Sequence, residues 1–368
     1  MFRLLRHPEI DVQIAATGAI CNLVTEVSPM RERLNEAGIM KVLCEHAHSL
    51  NAALRLNALW ALKHFIDGVA ADLKKECLEE LESGWLVQLI CDDTEDEALY
   101  ARTKSERPGS QVSPNDLDED MEMDQSEEDS KPWQLSGTPR SSNERTRTVR
   151  LRQAERKISV LREAELNPVR KARNDDLAIQ EQGLNFIRNL IGPVRPGTSS
   201  DSSRDNTEMI DYLFSQLGQD RLFGILESKL QVKFLHPFSR RFSANKDSRV
   251  LYPQAKIIEA VVFILVHMAA SVPRHRQIVI SQTKLLQDLG KHFTSKDKDV
   301  RVALCHLIAN LTWQDDSTDE DASRQRAVEL KRLGLLNKLE SLEQEDSELD
   351  VRERAKAAIW QINKQRGY

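Results

Sequence analysis

One helical sequence pattern recurs six times along the chain, and this recurrence restricts the possible folds more than any other feature. Each copy starts at an aliphatic residue, repeats apolar or small residues at helical spacing, and carries a polar side chain ten positions after its start. Such spacing predicts a helix with one buried face and one free face. The copies start at Val12, Leu54, Ile179, Ile257, Val300 and Val351, and their polar residues are Asn22, His64, Asn189, His267, Asn310 and Gln361.

The distances between successive copies indicate a common repeat length. The starting residues lie 42, 125, 78, 43 and 51 positions apart, and each larger spacing coincides with a polar stretch. Gly38, Gly84 and Gly334 each precede another apolar helix, which predicts a glycine corner between two shorter helices of the repeat. A period of about 42 with three helices favours armadillo repeats over two-helix HEAT repeats. We therefore expect an all-α armadillo-repeat solenoid, a right-handed superhelix with disordered insertions.

The composition agrees with a mostly helical chain. With 14 glycines, 12 prolines and 5% aromatic residues in 368 positions, a many-stranded sandwich or barrel is a poor fit. The formal net charge of −6 argues against a surface devoted to nucleic acid. The five scattered cysteines lie mostly among aliphatic residues, as expected for reduced thiols of a protein of the cytoplasm and nucleus.

Polar stretches divide the chain into four segments. The expected order is armadillo repeats at 1–91, an acidic and Ser-rich disordered insertion at 92–150, a basic and partly helical insertion end at 151–174, and armadillo repeats at 175–368 with loops at 192–206, 232–252 and 315–323. The acidic insertion has too little apolar content to fold by burial. Because no first and second helix precede the first copy, we expect the array to start within a repeat of a longer array.

No constellation typical of an enzyme is visible. The G-x-S-x-G, P-loop, dinucleotide-binding and H-E-x-x-H motifs are missing from the sequence. His46 and His48 have no cysteine or carboxylate cluster nearby, so we interpret them as surface or capping residues rather than metal ligands. The longest apolar stretch, 260–266, is too short to cross a bilayer. We expect no catalytic site, metal, cofactor, small-molecule substrate or membrane insertion.

The free face of the repeated helix is the candidate functional surface. In a superhelix of three-helix repeats the third helices line the concave groove, and a side chain that both donates and accepts hydrogen bonds suits the backbone of an extended peptide. The predicted partner-binding groove comprises Asn22, Trp60, His64, Arg188, Asn189, His267, Asn310 and Gln361. Two alternatives remain open: the polar side chains brace neighbouring helices, and Trp60 packs in the core.

Several segments together resemble a known family. They are residues 55–62, 182–190 and 302–313, followed by 324–339 and a closing helix around Ala355. Their order resembles the C-terminal half of the armadillo-repeat subunit of the GID/CTLH E3 ubiquitin ligase. The resemblance implies a non-catalytic scaffold that links the substrate-receptor subunit to the LisH/CTLH scaffold subunits and the RING subunits. It also implies a role in proteasomal protein degradation.

Two other kinds of armadillo adaptor are alternatives. A nuclear-import adaptor pairs Trp with Asn four residues later in many repeats, and here Trp60 with His64 approaches that pair. A catenin-like adaptor needs a strongly basic groove, whereas the cations along the predicted groove are sparse. The residues alone leave these peptide-binding adaptors open as alternatives to the ligase scaffold.

Overall fold

The computed structural model describes residues 1–92, 168–194, 202–235 and 249–364. Within these ranges the chain consists of helices and one short hairpin; the first group has two α-helices and each of the five later groups has three. Residues 1–92 and 175–368 form one compact unit, and residues 93–174 a second, of which the described part is residues 168–174 at the start of a helix. Most of the predicted insertions at 92–150 and 151–174 therefore lie outside the described residues.

The helices follow the predicted repeat. The first group holds α1 (Phe2–Leu5) and α2 (Ile10–Leu23), the second α3 (Arg31–Glu36), α4 (Ile39–Ala47) and α5 (Ala52–Phe65), and the third α6 (Ala71–Leu81), α7 (Ser83–Cys91) and α8 (Pro168–Leu190). The fourth holds α9 (Ser202–Leu217), α10 (Gln219–Ser228) and α11 (Ala255–Ala270), the fifth α12 (Pro273–Ile280), α13 (Thr283–Gly290) and α14 (Lys298–Leu311), and the sixth α15 (Glu320–Arg332), α16 (Leu335–Glu345) and α17 (Leu349–Lys364). Short 3-10 helices lie at Lys291–Thr294 and Ser317–Asp319.

The recurring pattern occupies the last helix of each group, that is α2, α5, α8, α11, α14 and α17, here called the third helices. Helix α2 packs on α5, α11 on α14, and α14 on α17. Lys63 Nζ of α5 donates to Gln182 Oε1 of α8 at 2.7 Å, and the Arg188 guanidinium of α8 lies 4.0 Å from the centre of the Phe263 ring of α11. Successive third helices therefore contact one another, and we call this series the third-helix row.

The core runs through all six groups. Leu59 in α5, Ile187 in α8, Val261 in α11 and Leu311 in α14 are fully buried. Because each repeat leaves an apolar face that its neighbour covers, stacking joins these residues into one hydrophobic core. The prediction of an all-α repeat fold is confirmed.

A residue with positive φ occurs at four of the corners between the first two helices of a repeat in the described part of the chain. Gly38 (φ 82°) and Gly334 (φ 75°) are two of these residues, as predicted. The prediction for Gly84 was wrong, because that residue lies inside α7 and Glu82 takes the positive φ of 64°. Gly218, with φ 79°, forms a further corner between α9 and α10 that the sequence pattern did not identify.

Two of the predicted loops are shorter than expected. Helix α9 begins at Ser202, within the expected loop 192–206, and α15 begins at Glu320, within the expected loop 315–323. Both helices start among Ser, Asp or Glu residues, which read as loop residues in a sequence but also suit the first turn of a helix. Helix α15 carries Glu320 and Asp321 in its first turn, where their negative charges interact favourably with the helix dipole.

The third predicted loop, 232–252, contains a small antiparallel hairpin. Strands β1 (Lys233–Leu235) and β2 (Arg249–Leu251) pair with Phe234 opposite Val250. Two runs of three residues with aromatic and β-branched character suffice for this pairing. The residues between the strands, 236–248, lie outside the described ranges.

The interpretation of His46 as a surface or capping residue was wrong. His46 is buried, its Nδ1 lies 2.9 Å from Thr17 Oγ1, and its Nε2 lies 3.0 Å from the Leu5 carbonyl oxygen. The ring therefore joins α4 to α1 and α2. His48 caps the end of α4, stacks on Trp85 with 4.8 Å between ring centres, and is exposed as expected.

Two features are absent from residues 1–92, 168–194, 202–235 and 249–364. None of the helices in these ranges combines the length and apolar character that crossing a bilayer requires. Across the same residues, His, Cys, Asp and Glu side chains do not gather in groups of three or more that could hold a metal ion.

Candidate partner-binding site

The polar residues of the pattern lie near the end of each third helix, and three of them brace the neighbouring helix. Asn189 Nδ2 donates to the Lys63 carbonyl oxygen at 2.9 Å, and Asn310 Nδ2 donates to the Val266 carbonyl oxygen at 3.2 Å. Gln361 Nε2 donates to the Thr312 carbonyl oxygen at 3.3 Å. Bracing thus accounts for part of the hydrogen-bonding capacity of these amides.

The three amide side chains differ in how much hydrogen-bonding capacity they retain for a partner. Asn189 and Asn310 are half-buried, and the side-chain oxygen of each accepts no hydrogen bond from the described residues. Gln361 is buried with 7% exposure, so it is mainly a brace between α14 and α17. Asn22, at the start of the row, is exposed. Asn22, Asn189 and Asn310 therefore retain acceptor capacity for a partner backbone.

Trp60 and His64 form a local pair on α5. Trp60 Nε1 donates to His64 Nε2 at 3.0 Å. Trp60 is 45% exposed, which excludes the alternative that it packs in the core. Lys63 Nζ lies 5.5 Å from the centre of the Trp60 ring. Burial, followed by the charge of Lys63, lowers the pKa of His64, so the imidazole is neutral and able to accept from the indole.

A cavity of about 360 Å³ opens between α5, α8 and α11. It brings together His64, Arg188 and Asn189 of the predicted groove, whereas Asn22, Trp60, His267, Asn310 and Gln361 are not among its lining residues. The remaining lining residues are Lys63, Asp67, Glu181, Asn185, Lys256, Glu259 and Ala260. The cavity therefore lies at the centre of the third-helix row, with polar residues of the row continuing on both sides.

Most charges that line the cavity already have a partner. Lys256 Nζ pairs with Glu259 Oε2 at 2.8 Å, and this hydrogen bond is the main cause of the raised pKa of Lys256. Lys63 Nζ donates to the amide oxygen of Gln182, and burial lowers the pKa of this lysine. Burial also raises the pKa of Glu181, whose Oε1 accepts from Gln182 Nε2 at 3.4 Å.

Arg188, unlike these charged residues, has no hydrogen-bond or ion-pair partner among the described residues. Its guanidinium lies over the Phe263 ring, and its Nε atom is buried without a hydrogen-bond partner in the same part of the chain. Burial lowers the pKa of Arg188, while the charges of Glu259 and Asp67 oppose that effect from beyond ion-pair distance. The result is a partly desolvated cation with terminal amino groups that no described carboxylate contacts.

His267 lies beside this cation but outside the cavity lining. Burial, with further contributions from the charges of Arg188 and Lys74, lowers the pKa of His267 to about 4. Lys74 is itself fully buried and donates to the Gly192 carbonyl oxygen at 2.8 Å. His267 is therefore a neutral hydrogen-bonding group at physiological pH.

Sequence reasoning missed the acidic residues of the cavity and the aromatic platform under Arg188. A signal for the acidic residues was present, since Glu181 and Glu259 both stand two positions after the start of their copies of the pattern. Phe263 stands four positions before His267, on the same helix face. Asp67 carries no such signal, because it follows the end of α5.

The chain is similar to a curated protein along nearly its whole length. The chain is 21% identical to GID complex subunit 5 of Schizosaccharomyces pombe over an alignment that covers 99% of this chain and 38% of that protein. It is 33% identical to Armadillo repeat-containing protein 8 of Xenopus laevis over 92 residues, which cover 25% of this chain and 13% of that protein. The chain thus spans well under half the length of the curated relatives it matches. No family model matches the sequence.

Solved structures identify the fold. A designed armadillo repeat protein in complex with the peptide (KR)4 aligns with a TM-score of 0.55 and 14% identity, covering 98% of this chain and 97% of that one. At this identity the match shows the fold alone, and it agrees with the three-helix repeats described above. The resemblance found in the sequence is therefore confirmed: this chain is an armadillo-repeat α-solenoid similar along nearly its whole length to GID complex subunit 5.

Proposed function

We propose that this chain is a non-catalytic scaffold subunit of a GID/CTLH-type E3 ubiquitin ligase. It links the substrate-receptor subunit to the LisH/CTLH scaffold subunits and the RING core, and so serves proteasome-dependent protein degradation. The observation that carries the proposal is the similarity to GID complex subunit 5 over 99% of the chain. A subunit of such a complex needs binding surfaces, and an array of stacked repeats supplies them without a reaction centre.

The third-helix row supplies a surface suited to an extended segment of the receptor subunit. Asn189 and Asn310 each present an amide oxygen without a described donor, and Trp60 offers an exposed apolar ring on α5 of the same row. Amides that pair with a peptide backbone and an aromatic ring that covers a side chain are the usual elements of extended-peptide recognition. The cavity between α5, α8 and α11 gives space for one partner side chain.

The buried thiols support a role without catalysis. Burial raises the pKa of Cys21 to about 11 and that of Cys305 to about 12. A nucleophilic cysteine needs a lowered pKa, since the thiolate is the reactive form. His306 follows Cys305 directly, and burial lowers its pKa, so it does not supply the positive charge that would stabilise a thiolate. We place the subunit in the cytoplasm and nucleus, where thiols stay reduced.

Affinity purification of the tagged full chain from cells, followed by mass spectrometry, tests the proposal. We expect LisH/CTLH, RING and receptor subunits to copurify with it. The double variant Trp60→Ala/Asn189→Ala should lose the receptor while retaining the LisH/CTLH subunits. A matched double variant at exposed sites outside the row, Val328→Ala/Arg332→Ala, should retain both.

Other outcomes of the same experiment contradict the proposal. Recovery of importin-β or of cadherin tails in place of ligase subunits would assign the chain to nuclear import or to adhesion. Equal recovery of the receptor with the Trp60→Ala/Asn189→Ala variant would place the receptor contact outside the third-helix row.

A further inference from the structure

Three cations line the cavity between α5, α8 and α11: Lys63, Arg188 and Lys256. Lys256 pairs with Glu259 and Lys63 donates to the amide oxygen of Gln182, whereas Arg188 has neither a counter-ion nor a hydrogen-bond acceptor among the described residues. Arg188 lies on α8, and its Cζ atom lies over the Phe263 ring, 4.0 Å from the ring centre. A guanidinium over an aromatic face is held in a fixed orientation, and the ring supplies only part of the stabilisation that a carboxylate gives. Moving a cation out of water without a paired anion is costly, so the site favours an anion supplied from outside.

The acidic residues near Arg188 do not fill that role. Glu259 pairs with Lys256 at 2.8 Å, and neither Glu259 nor Asp67 comes within ion-pair distance of Arg188 in the described part of the chain. Glu181 accepts a hydrogen bond from Gln182, and burial raises its pKa, which disfavours its charged form. The Arg188 guanidinium is therefore open to an external acceptor.

The geometry of the arginine restricts how an acceptor approaches. Its Nε atom is buried and unpaired, so a ligand cannot reach it. The two terminal nitrogens are not buried in this way, and they can bind both oxygens of one carboxylate end-on. Asn189 and Asn185 line the same cavity with amide groups that complete the hydrogen bonds of a ligand.

We propose that this cavity is a specificity subsite that takes one Glu or Asp side chain of the extended partner segment bound along the third-helix row. The inference rests on the proposed function, since it presumes that a partner segment occupies the row. The position of the cavity favours a side chain over a chain end. The row continues on one side to Asn22 and on the other to Asn310, so a segment that follows the row passes through the cavity. Three acidic residues line the cavity, so it takes a single carboxylate rather than an acidic run.

The first test uses small probes and does not depend on any ligase subunit. N-acetyl-glutamate methylamide, its glutamine analogue, its lysine analogue and inorganic phosphate are titrated into the full chain, and the arginine ¹⁵Nε–Hε signals are followed by NMR. The signal of Arg188 is identified by its loss in Arg188→Gln. We expect the glutamate probe to shift this signal with at least about tenfold higher affinity than the glutamine probe, as a hydrogen bond to a charged group implies.

Two variants and one control complete the test. Phe263→Leu keeps the charge of Arg188 but removes its aromatic platform, and it should weaken binding of the glutamate probe several-fold. Arg354→Gln removes an exposed arginine of α17 that pairs with Asp350 at 3.4 Å, and it should leave the titration unchanged. If Arg188→Gln does not fold, Arg188→Lys, which keeps the positive charge, identifies the Arg188 signal by the same loss, and Phe263→Leu with the wild-type titration then decides the question.

Three results overturn the inference. Equal affinity for the glutamate and glutamine probes removes the carboxylate preference, and tighter binding of the lysine probe assigns the cavity to its acidic residues. A phosphate response as strong as the glutamate response makes it a general anion site. The probes report on the subsite and the copurification reports on the ligase partners, so failure of one is distinguishable from failure of the other.

Discussion

Arg326 and Asp319 form a doubly hydrogen-bonded ion pair that is almost completely buried. Arg326 Nη1 donates to Asp319 Oδ1 at 3.0 Å, and Nη2 donates to Oδ2 at 2.8 Å. The same arginine donates from Nε to the Leu311 carbonyl oxygen at 2.8 Å and from Nη2 to the Trp313 carbonyl oxygen at 2.9 Å. One side chain of α15 thus fixes the end of α14 and the acidic segment that follows it.

Replacing Asp319 with Ala should destabilise the last repeats strongly. The change leaves the Arg326 guanidinium buried without its carboxylate, and loss of one partner of a buried pair costs about 3 to 5 kcal/mol. Urea unfolding measures the effect. The control is Asp350→Ala, which removes an exposed pair with Arg354 and should cost about 1 kcal/mol or less. Similar losses in both variants would contradict the structural role of the buried pair.

Gly183 permits the close approach of α8 to α7. A Cβ atom at this position would lie 2.5 Å from Cγ2 of the buried Ile90. Gly183→Ala should therefore cost about 1 to 3 kcal/mol by overpacking, although alanine favours a helix. Gly224→Ala in α10 is the matched control, because nothing lies within 4 Å of its added Cβ. That variant should be neutral or slightly more stable in thermal unfolding, and an equal loss at both sites would argue against the close packing.

Leu304 tests which face of α14 is buried. It is 1% exposed, so Leu304→Ala should cost about 2 to 5 kcal/mol by leaving a cavity. Leu349→Ala is the control, since Leu349 is 62% exposed and its truncation should change stability by about 0.5 kcal/mol or less. Denaturant unfolding compares the two, and an unchanged midpoint for Leu304→Ala would show that the buried face of α14 is misassigned.

The stability of the array should fall in mild acid, partly because of His267. Burial lowers its pKa from 6.5 to about 4. Between these pH values the unfolded chain binds a proton that the folded chain excludes, so the free energy of unfolding falls as the pH falls through this window. His267→Gln should reduce the fall. His46 and His275, whose pKa values burial also lowers, leave part of it in place. Urea unfolding of both proteins across the window measures the difference, and identical pH profiles would exclude a contribution from His267.

The sequence predicted the third helices because apolar periodicity is a local property. Ile179 and Val300 start helical stripes that need no knowledge of distant residues. It also placed Asn189 on the free face. The acceptor of its amide, the Lys63 carbonyl oxygen, lies 126 residues away across the insertion, so bracing and binding could not be separated.

The other differences between the predicted and the observed structure also have specific physical causes. Glu82 has a positive φ two residues before Gly84, which does not have one, and residue type alone favours the glycine. The cavity depends on Asp67 and Lys256, which lie after one third helix and near the start of another. Their meeting follows from the stacking of repeats rather than from any local pattern.

Photo-crosslinking tests the central claim, that the third-helix row holds the receptor subunit, most directly. A benzophenone amino acid is placed at Trp60, 45% exposed on α5, or at Val328, 60% exposed on α15 outside the row. The assembled ligase is then irradiated. We expect a crosslink to the receptor subunit from position 60 and none from position 328. A receptor crosslink from position 328 without one from position 60 would contradict the account.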